Sequence, residues 1–177
     1  MFGLTPLGTI HTFISLVALA AGFASILRDG RIVPAVGLGR TYIWSTVITC
    51  LTGFGIFERG GFGPPHVLGI LTLLALALAG WQGGARWLGA RWLYVSTVCY
   101  SLTLFFHMIP GVTETFTRVP AGRPLFTGPD DPSLQKLAGA MFAIFLVGAT
   151  LQVLHLRRVG RASQQVAPLQ GARKSAR

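Results

Sequence analysis

Long apolar runs, broken by short joints rich in glycine, proline and arginine, set the pattern of this chain. Five runs approach the about 20 mostly apolar residues that a helix needs to cross a bilayer. They are Leu7 to Leu27, Thr41 to Phe57, Pro65 to Trp81, Trp92 to Ile109 and Leu134 to Leu156. The second and third are short. The stretch Glu58-Arg59-Gly60-Gly61-Phe62-Gly63-Pro64-Pro65 between them is dense in residues that stop helices and make turns, which predicts a tight helical hairpin. The long connection from Gly111 to Pro132 carries Glu114, Arg118 and Arg123 among prolines and glycines, a composition suited to an interfacial helix followed by a loop. The predicted class is all-α, an integral membrane bundle of five transmembrane helices over residues 1–160. A basic, polar tail at 161–177 has too little apolar content to pack and reads as disordered or lying on anionic lipid.

Composition supports the membrane reading. Half of the 177 residues are hydrophobic (51%), 11% are charged, and the mean hydropathy is +0.60, outside the range of ordinary soluble domains. A net charge of +10 resembles a nucleic-acid signal until the basic residues are mapped. Arg28, Arg31, Arg40, Arg86, Arg91, Arg157, Arg158, Arg161, Arg173, Lys174 and Arg177 fall on one side of the threaded bundle, against the single acid Asp29. Arg59, Arg118, Arg123 and Lys136 fall on the other, balanced by Glu58, Glu114, Asp130 and Asp131. Cytoplasmic loops carry the excess of basic residues. The expectation is therefore a multi-pass protein of the bacterial inner membrane, N-terminus outside and C-terminus in the cytoplasm, whose partner is the lipid bilayer and not nucleic acid. The first run lacks the basic segment that opens a signal peptide and is read as a retained helix. Trp44, Trp81, Trp87, Trp92, Tyr42 and Tyr94 gather near the cytoplasmic ends as an aromatic belt would. Cys50 and Cys99 lie mid-run with no metal-binding spacing, and Gly139 and Ala143 offer a small-residue pair for association with a second copy or another membrane protein.

Three histidines stand out once the runs are threaded. His11, His66 and His107 each lie about one turn from the end of a run, and all three ends fall on the outer side. Beneath His107 run Thr103, Tyr100 and Ser96, one polar stripe at helical spacing, and beneath His11 run Ser15, Ala18, Gly22 and Ser25. His66 is followed by Gly69, Leu73 and Ala77. Ionisable residues within a membrane boundary are by default a functional hypothesis. Three imidazoles suit a divalent metal ion, with Glu114 or Glu58 as a further ligand or base. Two facing imidazoles suit haem b. Histidine beside glutamate suits a proton or quinone site. The contrasting reading is a structural or accessory membrane subunit with no bound cofactor, its histidines satisfying only helix packing. His155, beside Arg157 and Arg158 at the cytoplasmic end, is read as interfacial.

Three short stretches carry a resemblance: Gly8-Thr9-Ile10-His11, Gly61-Phe62-Gly63-Pro64-Pro65-His66, and Ile109-Pro110-Gly111-Val112-Thr113-Glu114-Thr115. Together they resemble a family of small multi-pass bacterial membrane proteins that carry a domain of unknown function, over roughly Gly8 to Pro120. The resemblance implies the architecture, and that His11, His66 and Glu114 occupy motif positions. The chain departs from the pattern before its second helix. There the related sequences have a His-Arg-Arg-like cluster, and Gly37-Leu38-Gly39-Arg40 stands here.

Overall fold

The computed structural model describes residues 5–57, 61–118, 123–128 and 130–175, with side chains as far as 161. Among them every regular element is helical. Helix α1 (Pro6–Asp29) is started by Thr5, whose hydroxyl accepts from the Gly8 N–H at 3.1 Å, and by Pro6 at the first position, where a missing N–H costs nothing. It ends at Gly30, which takes the left-handed conformation (φ 69°) and returns its N–H to the Ile26 carbonyl. Helices α2 (Gly37–Gly53) and α3 (Pro64–Gly80) have 17 residues each. A short helix, α4 (Gly84–Leu88), and a 3₁₀ turn (Gly89–Arg91) lead into α5 (Trp92–Arg118), and α6 (Pro132–Ser175) closes the chain. Three stretches are long and apolar enough to cross a membrane: Pro6–Asp29, Gly84–Arg118 and Pro132–Arg161. Helix α3 is apolar but shorter. The protein is all-α, and its apolar helices suit a lipid environment.

Helix α1 packs on α2, α3 on α5, and α5 on α6, with lesser contacts joining α2 to α3 and α1 to α5. Side-chain bonds fix the directions. His11 near the start of α1 meets Thr52 at the end of α2, and the Ser96 hydroxyl at the start of α5 donates to the Ala79 carbonyl at the end of α3 (2.8 Å). Both pairs are therefore antiparallel, and His11, His66 and His107 share one end of the bundle. The core is built from Ala21, Ile32, Tyr42, Leu76, Ala79, Tyr100 and Leu104. Around it are buried Ser25, Ser45, Thr46, Thr49, Thr97 and Thr103, small hydrogen-bonding side chains of the kind found where helices associate in lipid.

Several boundaries differ from the sequence expectation, each for a physical reason. Helix α2 begins at Gly37 and stops at Gly53, because the chain turns there through bonds from Gly55 N–H to Thr52 and Ile56 N–H to Gly53. Helix α5 continues through Pro110, so the interfacial helix expected after Gly111 is the final part of α5. Proline removes one helical bond but does not stop a helix whose neighbouring turns remain bonded. Tyr42 is a core residue and not part of an interfacial belt: it is fully buried, and its hydroxyl pairs with Thr103 at 2.7 Å. Trp44, Trp81 and Trp87 are exposed. On α3 the buried face runs through Thr72, Leu76 and Ala79, while Ala77 is exposed.

Helix α6 is held along one flank only. Phe142 and Phe145 pack on Phe105, each with ring centres 5.5 Å away. Gln152 accepts from the Ser101 hydroxyl (2.7 Å) and donates to the Gly30 carbonyl (2.9 Å), joining α6 to α5 and to the end of α1.

Candidate functional site

Each histidine is held in a different way. His11 lies in the second turn of α1, its Nδ1 3.0 Å from the Thr52 hydroxyl. That hydroxyl already donates its one proton to the Ile48 and Thr49 carbonyls (2.9 and 3.0 Å), so the His11 Nδ1–H is the donor of the pair. In the neutral ring the lone pair is then on Nε2. Gly53 makes room for this contact, since a Cβ there would come within 3.1 Å of His11 Cε1.

His66 has the opposite tautomer. It sits in the first turn of α3, where its Nδ1 accepts the N–H of Gly63, the residue that caps the helix, at 3.1 Å. The proton of the neutral ring is therefore on Nε2. Phe57 and Phe62 stack against the imidazole at 5.1 and 5.2 Å and contribute to its burial. His66 is 6% exposed, and its Nε2 is buried with no hydrogen-bond partner among the described residues.

His107 is likewise 6% exposed with an unpartnered, buried Nε2. It lies on α5 against α1, where it interacts with the backbone of Ser15 and, through charge, with His11. Glu114 follows two turns later on nearly the same face of α5 and acts electrostatically on His11, although its carboxylate is held by Arg118 at 2.6 Å. The structure thus gathers His11, His107 and Glu114 around the α1/α5 crossing. His66 stands at the same end in its own aromatic pocket. Counting along α3 and α5 from the Ser96–Ala79 bond at 1.5 Å per residue puts His66 and His107 within about 3 Å of one depth. They share a level without forming one ligand sphere, and no three His, Cys, Asp or Glu side chains among the described residues come together as a metal-holding group. Glu58 lies outside the described residues. His155 is exposed near the far end.

Sequence reading missed Thr52, the residue that fixes the His11 tautomer. Its only signal was its place at the end of α2, opposite the start of α1 in a hairpin. It also missed Gly63 as the partner of His66, although a residue three positions before the histidine, next to Pro64, is where a helix cap belongs. No protein-family model, curated protein or solved structure matches this chain.

Proposed function

We propose that this chain is a five-crossing protein of the bacterial inner membrane, N-terminus outside and C-terminus in the cytoplasm, whose outer-side histidines bind a small ligand. The observation that carries the reading is the pair of buried, unpartnered nitrogens, Nε2 of His66 and Nε2 of His107. An unsatisfied buried polar atom costs about 1–3 kcal/mol, and hydrocarbon supplies no water to relieve it. The His107 atom, beside His11 at the α1/α5 crossing, is one that a ligand's polar group would satisfy, and the His66 atom would take a second polar group of its own.

The tautomers divide the chemistry. His66 offers an N–H, so it donates a hydrogen bond to an oxygen of the ligand and does not ligate a metal in this state. His11 and His107 are the residues that would hold a metal ion or a haem iron. Anchoring of a ring through Nδ1, as His11 shows, is the arrangement that leaves Nε2 available to a metal.

The test uses the full chain purified in mild detergent and analysed by absorption spectrum, elemental analysis and mass spectrometry of an organic extract. A species near one per chain, lost in His107→Ala and kept in His155→Ala, is the expected result. A wild-type protein carrying nothing would overturn the reading in favour of an accessory subunit. Topology has its own test in single-cysteine labelling on a background lacking Cys50 and Cys99. Positions 11 and 66 should react from outside, and labelling of position 66 from the cytosol would refute the shared outer layer.

A further inference from the structure

At the end of the bundle opposite the histidines lies an open cleft of about 600 Å³, lined by Trp81, Gly83, Arg86 and Trp87. Local backbone bonds shape it. Helix α3 ends at Trp81, and the chain then turns through bonds from the Gly84 N–H to the Trp81 carbonyl (3.1 Å) and from the Arg86 N–H to the Gly83 carbonyl (3.0 Å). Two glycines let this turn close on indole rings. A Cβ at Gly83 would come 2.7 Å from Trp81 Cε2, and one at Gly84 would clash with the Trp92 ring. Trp81 meets Trp92 edge to face with ring centres 5.9 Å apart, so one wall of the cleft is anchored to the first residue of α5.

The charge here is basic and uncompensated. Among the described residues Asp29 is the one acid at this end, and Arg28 holds it at 2.9 Å. Arg157 lies over the Tyr94 ring. Arg86 is exposed, with no ion pair or side-chain hydrogen bond among the described residues. Its guanidinium is a planar fork of N–H donors, which fits two oxygens of one phosphate. The indoles of Trp81 and Trp87 stand beside it, 49% and 81% exposed. Tryptophan so placed sits at the headgroup level of a membrane, its ring in the apolar layer and its N–H toward water.

An apolar track leads away from the cleft. Leu71, Leu74, Leu78 and Trp81 follow one another by three, four and three residues along one exposed face of α3. At 1.5 Å per residue the track is about 15 Å long, half of the about 30 Å hydrocarbon core and so the depth of one leaflet. A free phosphate would use the fork and leave the track bare. A phospholipid uses both.

We propose that this cleft binds the head of an anionic phospholipid, with Arg86 on the phosphate between Trp81 and Trp87, and with an acyl chain laid along Leu78, Leu74 and Leu71. A zwitterionic head would bring its own cation to a surface already in surplus of positive charge, so the cleft selects by the net charge of the lipid. The inference is separate from ligand binding at the histidines, which lie at the other end, and it rests on the reading of the chain as a membrane protein.

The full chain is reconstituted in phosphatidylcholine vesicles in which a fixed fraction of the lipid, either phosphatidylglycerol or phosphatidylcholine, carries bromine on its acyl chains and quenches tryptophan on contact. A Trp44→Phe background leaves only the tryptophans at and behind the cleft. There the brominated phosphatidylglycerol should associate about fivefold more strongly than the brominated phosphatidylcholine, equivalent to the about 1 kcal/mol of one arginine at a lipid surface. Arg86→Gln should abolish the preference. Arg158→Gln, which removes another exposed arginine of the same end, should leave it unchanged. Equal association of the two lipids would overturn the proposal, as would equal losses in the two variants, which would reduce the effect to general surface charge. Loss of the preference to inorganic phosphate, but not to sodium chloride of equal ionic strength, would show a free-anion site and overturn it as well. Quenching by brominated phosphatidylcholine separates this inference from the membrane reading: without it the chain is not in the bilayer, and with it an absent preference counts against the lipid site alone.

Discussion

Gly22→Ala tests the junction of α1, α2 and α5 in the core. A Cβ at Gly22 would come 2.9 Å from Leu104 Cδ1, 2.9 Å from Tyr42 Cδ2 and 3.0 Å from Tyr42 Cε2. Carbon atoms prefer about 3.5–4.0 Å, so the methyl is short of room on two sides at once. Neither neighbour yields easily. The Tyr42 ring is fully buried and pinned by its bond to Thr103, whose own hydroxyl is committed to the Tyr100 carbonyl at 2.8 Å. Overpacking of this kind costs about 1–3 kcal/mol, offset by the about 1 kcal/mol that alanine gains over glycine inside a helix. The expected result is a net loss of about 1 kcal/mol. Leu104→Ala alone should cost about 2–5 kcal/mol. The double variant should lose at least about 1 kcal/mol less than the sum, because the new methyl occupies space that Leu104 vacates. Unfolding in mixed micelles, titrated with a denaturing detergent and followed by tryptophan fluorescence, measures all three. Additivity to within about 0.5 kcal/mol would show that α1, α2 and α5 do not meet at this point.

Two further outcomes follow from the described bonds. Thr52→Val removes the acceptor of the His11 N–H and should destabilise by about 0.5–1.5 kcal/mol, whereas Thr52→Ser should be close to neutral; equal losses in the same titration would show that the hydroxyl is not His11's partner. At the start of α6 the Asp131 carboxylate accepts from the Ser133 N–H at 2.8 Å and the Thr127 N–H at 3.1 Å, and these bonds hold its pKa below the ordinary aspartate value. The unfolded chain then binds the proton more readily, so this anchor is fully present above the ordinary value and is lost as pH falls through the lower, folded one. The protection factors of the first amides of α6, measured by hydrogen exchange with the intrinsic rate at each pH divided out, should fall on acidification in wild type and change little in Asp131→Asn; indistinguishable profiles would refute the anchor.

Much of the helical architecture was legible because hydrophobic length is a property of whole segments. Each of the five runs lies largely in a helix, three of them in stretches long and apolar enough to cross a membrane, and polar stripes at helical spacing on the first and fourth runs proved to be buried faces, through Ala18, Gly22 and Ser25 and through Tyr100, Thr103 and His107. Single-residue placement was less legible. Tyr42 read as a belt residue because its position near a run end says nothing of which way it points, and only contact with Gly22 and Thr103 shows that it fills the core. His66 was placed at the right end, but spacing cannot reveal that the hairpin's own phenylalanines enclose it or that Gly63 sets its tautomer. Pro110 suggested a boundary. A single missing N–H is a local cost, however, and the bonded turns on either side carry the helix past it.

Helix α6 has a consequence for how this protein tolerates change. With one flank on α5 and Ile144, Leu146, Val147, Leu151 and Leu154 turned outward, it offers most of its girth to acyl chains in a membrane. A fluid neighbour does not demand a particular side-chain shape, so exchanges among leucine, isoleucine, valine and phenylalanine on that outer flank should accumulate freely. Gln152, which ties this rod to both α5 and the end of α1, would then help to keep it in register with the others when a surrounding bilayer thickens or thins.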